Sequence, residues 1–432
     1  MVNFFKKFIT FLSDDIFKVF SYTALSTLVK MFTGLISVKF IAVLIGPSGI
    51  ALLGQLNSFS SIILIIASAG INNGITKYLA EHRTSIEEIR KLLSSAFLIT
   101  LIASLITGLT IFVFASWFSK LILLDGSFSY VFKIFGLTVI FYSLNSLLVS
   151  ILNGFKEFRL FVIVNVVGSI VGLLFTLALV HFWKVDGALV SIVTFQSVVF
   201  LISIFIVRKS SWLTIRNFNK AADFVTLKRY GNYSLMTLVT AATAPIAQLI
   251  LRGYIINTIS PNTAGWWEAM NRISNMYLLV ITTSFSVYYL PRLSEITNDK
   301  DLKAEILKGF KIIVPILLLG FSILYFSRFI AIELLFSKDF MGMESLFIWQ
   351  LVGDFFKITS WLLAYIMVAK AMTKAFVISE ILIAFFFVIL AYWMLNNFGI
   401  IGITQAYAVN YLVYFVMMVV IFRKIIFFRN HG

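Results

Sequence analysis

The chain has 432 residues, 60% hydrophobic and only 12% charged, where a soluble domain carries about 25% charged residues. It therefore encodes an integral membrane protein, and its net charge of +16 needs no nucleic acid, because cytoplasmic loops collect Lys and Arg anyway. With no Cys and three scattered histidines, His82, His181 and His431, there is no disulfide framework, no thiol chemistry and no metal-ligating constellation.

Residues 1–16 set Phe4, Phe5, Phe8, Ile9, Phe11 and Leu12 beside Lys6 and Lys7 with no small-residue cleavage site. This predicts an interfacial helix rather than a removed signal. About 20 apolar residues cross the hydrocarbon core. That ruler places an N-terminal set of spans within 17–207, near 17–45, 50–76, 92–117, 130–153, 160–182 and 187–207. A polar cytoplasmic linker over 208–230 follows. The second set, within 231–422, lies near 231–258, 264–290, 309–329, 343–369, 375–395 and 399–422, before a cytoplasmic tail over 423–432. The expected fold class is an all-α membrane protein of about 12 transmembrane helices.

The basic residues set the orientation. With the N-terminus in the cytoplasm, Lys120, Lys184, Arg328 and Lys338 fall outside, and Lys30, Lys39, Lys133, Arg252, Arg272 and Lys357 fall within spans. The rest of the 35 Lys and Arg are cytoplasmic, which predicts a multi-pass protein with both termini inside.

The halves repeat. GALVSIVTFQSVVFLISIFIVRK from Gly187 aligns with GITQAYAVNYLVYFVMMVVIFRK from Gly402, and Pro47 and Pro261 punctuate the first two spans of each half. Six spans per half make the repeats parallel. That predicts two six-helix bundles related by a pseudo-two-fold along the membrane normal, with a cavity between them.

The in-span charges carry the functional reading. A lysine at the centre of a membrane helix costs roughly 2.5–3.5 kcal/mol on insertion scales, so it faces protein or water. Lys30 shares a face with Thr23, Thr27 and Gly34, a polar stripe expected against a neighbour or a water cavity. Lys39 and Arg252 take equivalent places shortly before Pro47 and Pro261, and Lys133 is placed to snorkel from the outer end of its span. Glu268 with Arg272 (i,i+4) and Asp354 with Lys357 (i,i+3) each share a helix face, as functional groups or as self-neutralised pairs. Glu380 reads as structural. Lys30, Lys39, Lys133, Arg252, Arg272 and Lys357 are the candidate substrate contacts, and Asp354 and Glu268 the candidate sites for coupling to a proton or sodium gradient. Six cations outnumber the three in-span acids, so the interior leans towards an anionic substrate. No cofactor is expected.

There is no HExxH, P-loop or GxSxG motif and no large outer loop, which disfavours an ATPase or a membrane glycan polymerase. GPSG (Gly46–Gly49), AGINNGITKY (Ala69–Tyr78), SFSVYYLPRLS (Ser284–Ser294), WQLVGDFFK (Trp349–Lys357) and QAY (Gln405–Tyr407) resemble the Wzx-type flippases. These belong to the multidrug/oligosaccharidyl-lipid/polysaccharide exporter superfamily, and the likeness is greatest to the branch serving O-antigen and enterobacterial common antigen lipid intermediates. The resemblance implies a V-shaped pair of bundles in the bacterial inner membrane. It implies a transporter rather than an enzyme, moving undecaprenyl-pyrophosphate-linked glycan to the periplasmic leaflet by alternating access through a cationic central cavity. Asp354 and Lys357 then lie in a family segment, and Asn72, Asn73 and Lys77 end the second helix near the cytoplasmic mouth. Membrane lipids and polysaccharide polymerase machinery are the candidate partners. A cation-coupled multidrug exporter of the same superfamily is the alternative.

Overall fold

A computed structural model describes residues 15–83, 85–218 and 224–427. Residues 1–14 of the expected interfacial helix and the end of the tail, 428–432, lie outside the described residues. Among the described residues every regular element is helical. The principal helices are α1 (Asp15–Ala67), α2 (Asn72–Glu81), α3 (Ile86–Val113), α4 (Ser129–Gly154), α5 (Phe158–Val207), α6 (Phe224–Thr258), α7 (Pro261–Ser284), α8 (Asp299–Phe326), α9 (Phe347–Ala369), α10 (Thr373–Phe398) and α11 (Ile401–Ile421). Nine helical stretches among the described residues are long and apolar enough to cross a bilayer, so this is a multi-pass membrane protein.

Two of the nine are too long for one crossing, α1 with 53 residues and α5 with 50. Each contains a break. In α1, Gly46 turns to φ 68° just before Pro47, where a proline would leave a backbone bond unmade in any case. In α5 the break falls at Lys184, φ 46° and ψ −119°. Two helix starts are capped by side chains: Ser85 accepts from the Glu88 amide at the start of α3, and Asn298 from the Asp301 amide at the start of α8.

Backbone geometry repeats along the chain. α4 and α9 both end in a tight reversal through a left-handed residue, Lys156 (φ 55°) and Ala371 (φ 53°). In the first, the amides of Lys156 and Glu157 bond to the carbonyls of Asn153 and Leu152. In the second, Ala371 and Met372 bond to Val368 and Met367 in the same register. The break at Lys184 likewise has its counterpart at Gly399 (φ 60°). Both correspondences fall at the spacing that aligns Gly187 with Gly402.

The chain divides into two compact units: Met1–Leu44 with Gln55–Pro245, and Ile45–Gly54 with Ile246–Gly432. The first buries Ile71, Leu79, Leu93, Leu148, Leu152 and Phe200 with Trp212 and Tyr230. Trp212 belongs to the stretch expected as a polar linker, whose first part is anchored. The Trp212 ring stacks on Phe155, and its Nε1 donates to Glu157 at 3.1 Å. Asn217 accepts from Arg90 Nε at 3.2 Å and donates to the Trp212 carbonyl at 2.9 Å. The second unit has its own core, with Leu293, Ile306, Ile358, Leu362, Met367 and Met418 fully or nearly buried.

Candidate functional site

The predicted site residues divide between the units. In the first, Lys30 is exposed on α1, flanked by half-buried Thr27 and Gly34; the Thr23 side chain lies outside the described set. At about 100° per residue, this stripe is opposite the exposed apolar stripe of Leu25, Leu28, Phe32 and Ile36. One face of the helix suits lipid and the other water. Lys39 is half-buried and lies on the apolar side of the same helix. Lys133 is exposed on α4, on the side of exposed Leu137 and Phe141, a position from which its ammonium can reach the interface.

The second unit assembles two buried clusters. In the first, α6 supplies Arg252 and α7 supplies Glu268 and Arg272. Arg252 Nη2 stands 2.6 Å from Glu268 Oε2, and Arg272 Nε stands 3.0 Å from Oε1. One carboxylate thus bridges two guanidiniums. Arg252 is 1% exposed and faces the Trp267 ring at 5.6 Å, whereas Arg272 is 19% exposed at the edge. The segment Ile45–Gly54 seats against this cluster because it presents glycine there. A Cβ at Gly54 would lie 2.7 Å from Glu268 Oε2, and one at Gly265 would lie 1.9 Å from the Pro47 carbonyl oxygen. Helical spacing anticipates the Glu268–Arg272 pair; it cannot reveal Arg252, which arrives from the preceding helix.

The second cluster centres on Asp354 in α9, which is fully buried. Its Oδ2 accepts from Ser274 Oγ (2.7 Å), Gln350 Nε2 (3.3 Å) and the Tyr277 hydroxyl, and its Oδ1 accepts from the Tyr407 hydroxyl at 2.8 Å. Lys357 meets Asp354 through an intermediary: its Nζ donates to the Tyr407 oxygen at 3.2 Å. The ammonium also faces the rings of Tyr411 (4.9 Å), Trp361 (5.3 Å) and Tyr407 (5.5 Å). The i,i+3 pair is therefore joined by a tyrosine of α11. Glu380 accepts from the Tyr414 hydroxyl at 2.8 Å. Sequence reasoning missed Ser274, Tyr277, Gln350 and the bridging role of Tyr407. The signal it had was the spacing of Tyr407, Tyr411 and Tyr414, which puts three hydroxyl-bearing rings on one face of α11.

Among the described residues no group of three His, Cys, Asp or Glu could hold a metal ion. The chemistry on offer is anion recognition by guanidinium and ammonium groups in a low-dielectric interior, where such contacts are strong.

These clusters sit in a polytopic all-helical fold that is shared with solved membrane proteins. An inward-facing multidrug resistance MATE family transporter of the MOP superfamily superposes with a TM-score of 0.74 at 18% identity, covering 93% of this chain and 95% of that one. The lipid II flippase MurJ, in an inward closed conformation, gives 0.68 at 16% identity over 95% and 90%. A family model described as "Polysaccharide biosynthesis protein" matches residues 16–297, and the chain belongs to that family. The chain is also similar to the lipid III flippase of Escherichia coli (strain K12), 28% identical over 394 residues, 91% of this chain and 95% of that protein.

Proposed function

We propose that the chain is a flippase for undecaprenyl-pyrophosphate-linked oligosaccharide, an O-antigen unit or the common-antigen lipid III. It carries this lipid from the cytoplasmic to the periplasmic leaflet of the bacterial inner membrane by alternating access through a cationic cavity. The observation that carries the reading is the similarity to a lipid III flippase along 91% of the chain. The interior suits that cargo, because a diphosphate cannot cross hydrocarbon unaided and Arg and Lys are the groups that bind it. Lys30, Lys39, Lys133, Arg252, Arg272 and Lys357 are the contacts, Glu268 and Asp354 the groups open to a coupling proton or sodium ion. The protein is a carrier rather than an enzyme.

The topology that goes with this reading has about twelve passes. α1 and α5 each supply two, divided at Gly46 and Lys184, α3 and α4 one each, and α6 to α11 six more, giving bundles over 17–207 and 231–422 with both termini cytoplasmic. Membrane lipids surround it, and polymerase machinery is the partner downstream.

The test is complementation of strains lacking, separately, an O-antigen flippase and the common-antigen flippase, with membrane expression checked alongside. Restored surface glycan in either strain is the expected result and names the glycan. Failure in both, with the protein inserted, overturns the proposal. Lys30→Gln combined with Arg252→Gln is expected to abolish rescue without loss of insertion. A second reading, a cation-coupled multidrug exporter, is favoured by the buried Asp354 carboxylate with its four donors; it predicts drug resistance on expression that Asp354→Asn removes.

A further inference from the structure

In the segments that build the Arg252 cluster, Ile45–Gly54, α6 and α7, the only acid is Glu268, and it pairs with two arginines, Arg252 and Arg272. Glu268 spends both its oxygens on those arginines, at 2.6 and 3.0 Å. We propose that Glu268 is an internal counter-anion: its carboxylate occupies the anion site of Arg252 and Arg272 until the diphosphate of the cargo lipid displaces it. The inference rests on the flippase reading and adds how its diphosphate site is kept while empty.

Three observations support it. The first is stoichiometry. Two guanidiniums match the two negative charges of a diphosphate diester, but with Glu268 in place the same pair has only one charge to offer. The second is geometry. A carboxylate gripped through separate oxygens by two arginines reproduces the way neighbouring phosphoryl oxygens would be gripped, and guanidinium serves both acceptors. The third is access. Arg252 is sealed at 1% exposure while Arg272 keeps 19%, so an arriving anion meets Arg272 first and trades places along the carboxylate, one arginine at a time. At no step does a guanidinium face hydrocarbon without an anion, which would be the costly alternative. The exchange also keeps binding moderate, since each diphosphate contact is made at the expense of one already present. A carrier needs that for release.

Glu268 is thus a positioning residue that sets the balance between affinity and turnover. The experiment is paired, on purified protein in nanodiscs with farnesyl pyrophosphate as the probe, and in cells by glycan display. Glu268→Gln is expected to bind the probe about tenfold more tightly, equivalent to about 1.4 kcal/mol, while glycan display falls. Damage to a purely structural pair would loosen the probe instead. Removing one partner of a buried pair also costs stability, so Glu268→Asp is the second variant. It keeps the charge but is one methylene too short to bridge both arginines, and it is expected to bind more tightly than the native protein by a smaller factor. Equal or weaker probe binding in both variants, with native binding intact, overturns the counter-anion. A native protein that binds no probe in any form, and rescues no strain, overturns the flippase reading itself.

Discussion

Arg252 is the largest fully buried side chain among the described residues, and Glu268, 2.6 Å away, meets its charge. Breaking a buried ion pair by deleting one partner costs about 3–5 kcal/mol, much of it from the charge left behind. Arg252→Ala is therefore expected to lower the melting temperature in detergent sharply, whereas Lys338→Ala, on the exposed pair with Glu333 at 4.0 Å, changes it little. Tyr407 is the second residue with a disproportionate role. Its hydroxyl donates to Asp354 and accepts from Lys357, so Tyr407→Phe removes two polar contacts at once while leaving the ring in place. About 1–3 kcal/mol of destabilisation is expected, read as a shift in thermal unfolding followed by tryptophan fluorescence. A near-native melting temperature would show that Ser274, Tyr277 and Gln350 satisfy Asp354 without it.

At the scale of elements, the helices were legible from hydropathy because the bilayer demands long apolar runs. Both breaks within the long helices fall where the span ruler ended one crossing and began the next, at 45–50 and 182–187. Pro47 marks the first locally, but the backbone at the second was not legible, since a lysine seldom adopts φ 46° with ψ −119°. The equivalent residue in the second unit is Gly399, at φ 60° and ψ −148°, a conformation glycine takes without penalty. Lys184→Gly is accordingly expected to stabilise the protein by about 1–2 kcal/mol, measurable as a raised melting temperature, and Gly399→Lys to do the reverse. The anchoring of the linker could not be read for a related reason. Its sequence is polar, yet Trp212 and Asn217 anchor through tertiary contacts to Phe155, Glu157, Arg90 and Ser94 that no periodicity encodes. The site was half legible on the same terms. Pairs within one helix could be read from spacing, whereas Arg252 and Tyr407 join them from other helices. α1 offers a direct check of its two exposed faces, because the chain contains no native cysteine. Lys30→Cys is expected to react with a water-borne, membrane-impermeant maleimide, and Phe32→Cys, on the opposite apolar stripe, to resist it. Equal labelling of both would remove the argument for a wet face.

For the whole molecule, charge governs what must drive the cycle. On the proposed reading a cargo with two negative charges leaves the cytoplasm, and the interior that escorts it carries a surplus of basic groups. An anion moving outward runs down the electrical gradient of a membrane that is negative inside. Each elementary charge gains about 2.3 kcal/mol per 100 mV, so two give about 4.6 kcal/mol, enough to bias transport more than a thousandfold without any coupling ion. The size of that term makes a sodium or proton site unnecessary on energetic grounds, and leaves Asp354 free to be what its four donors make it, the structural hub of the second unit. The two roles separate in proteoliposomes loaded with the lipid-linked glycan. Imposing a potassium diffusion potential with valinomycin, negative on the side that holds the cargo, is expected to accelerate flipping at constant pH and sodium, and reversing its sign to slow it. Flipping that ignores the potential but follows an imposed proton or sodium gradient, and stops in Asp354→Asn, would instead make that buried carboxylate the coupling site.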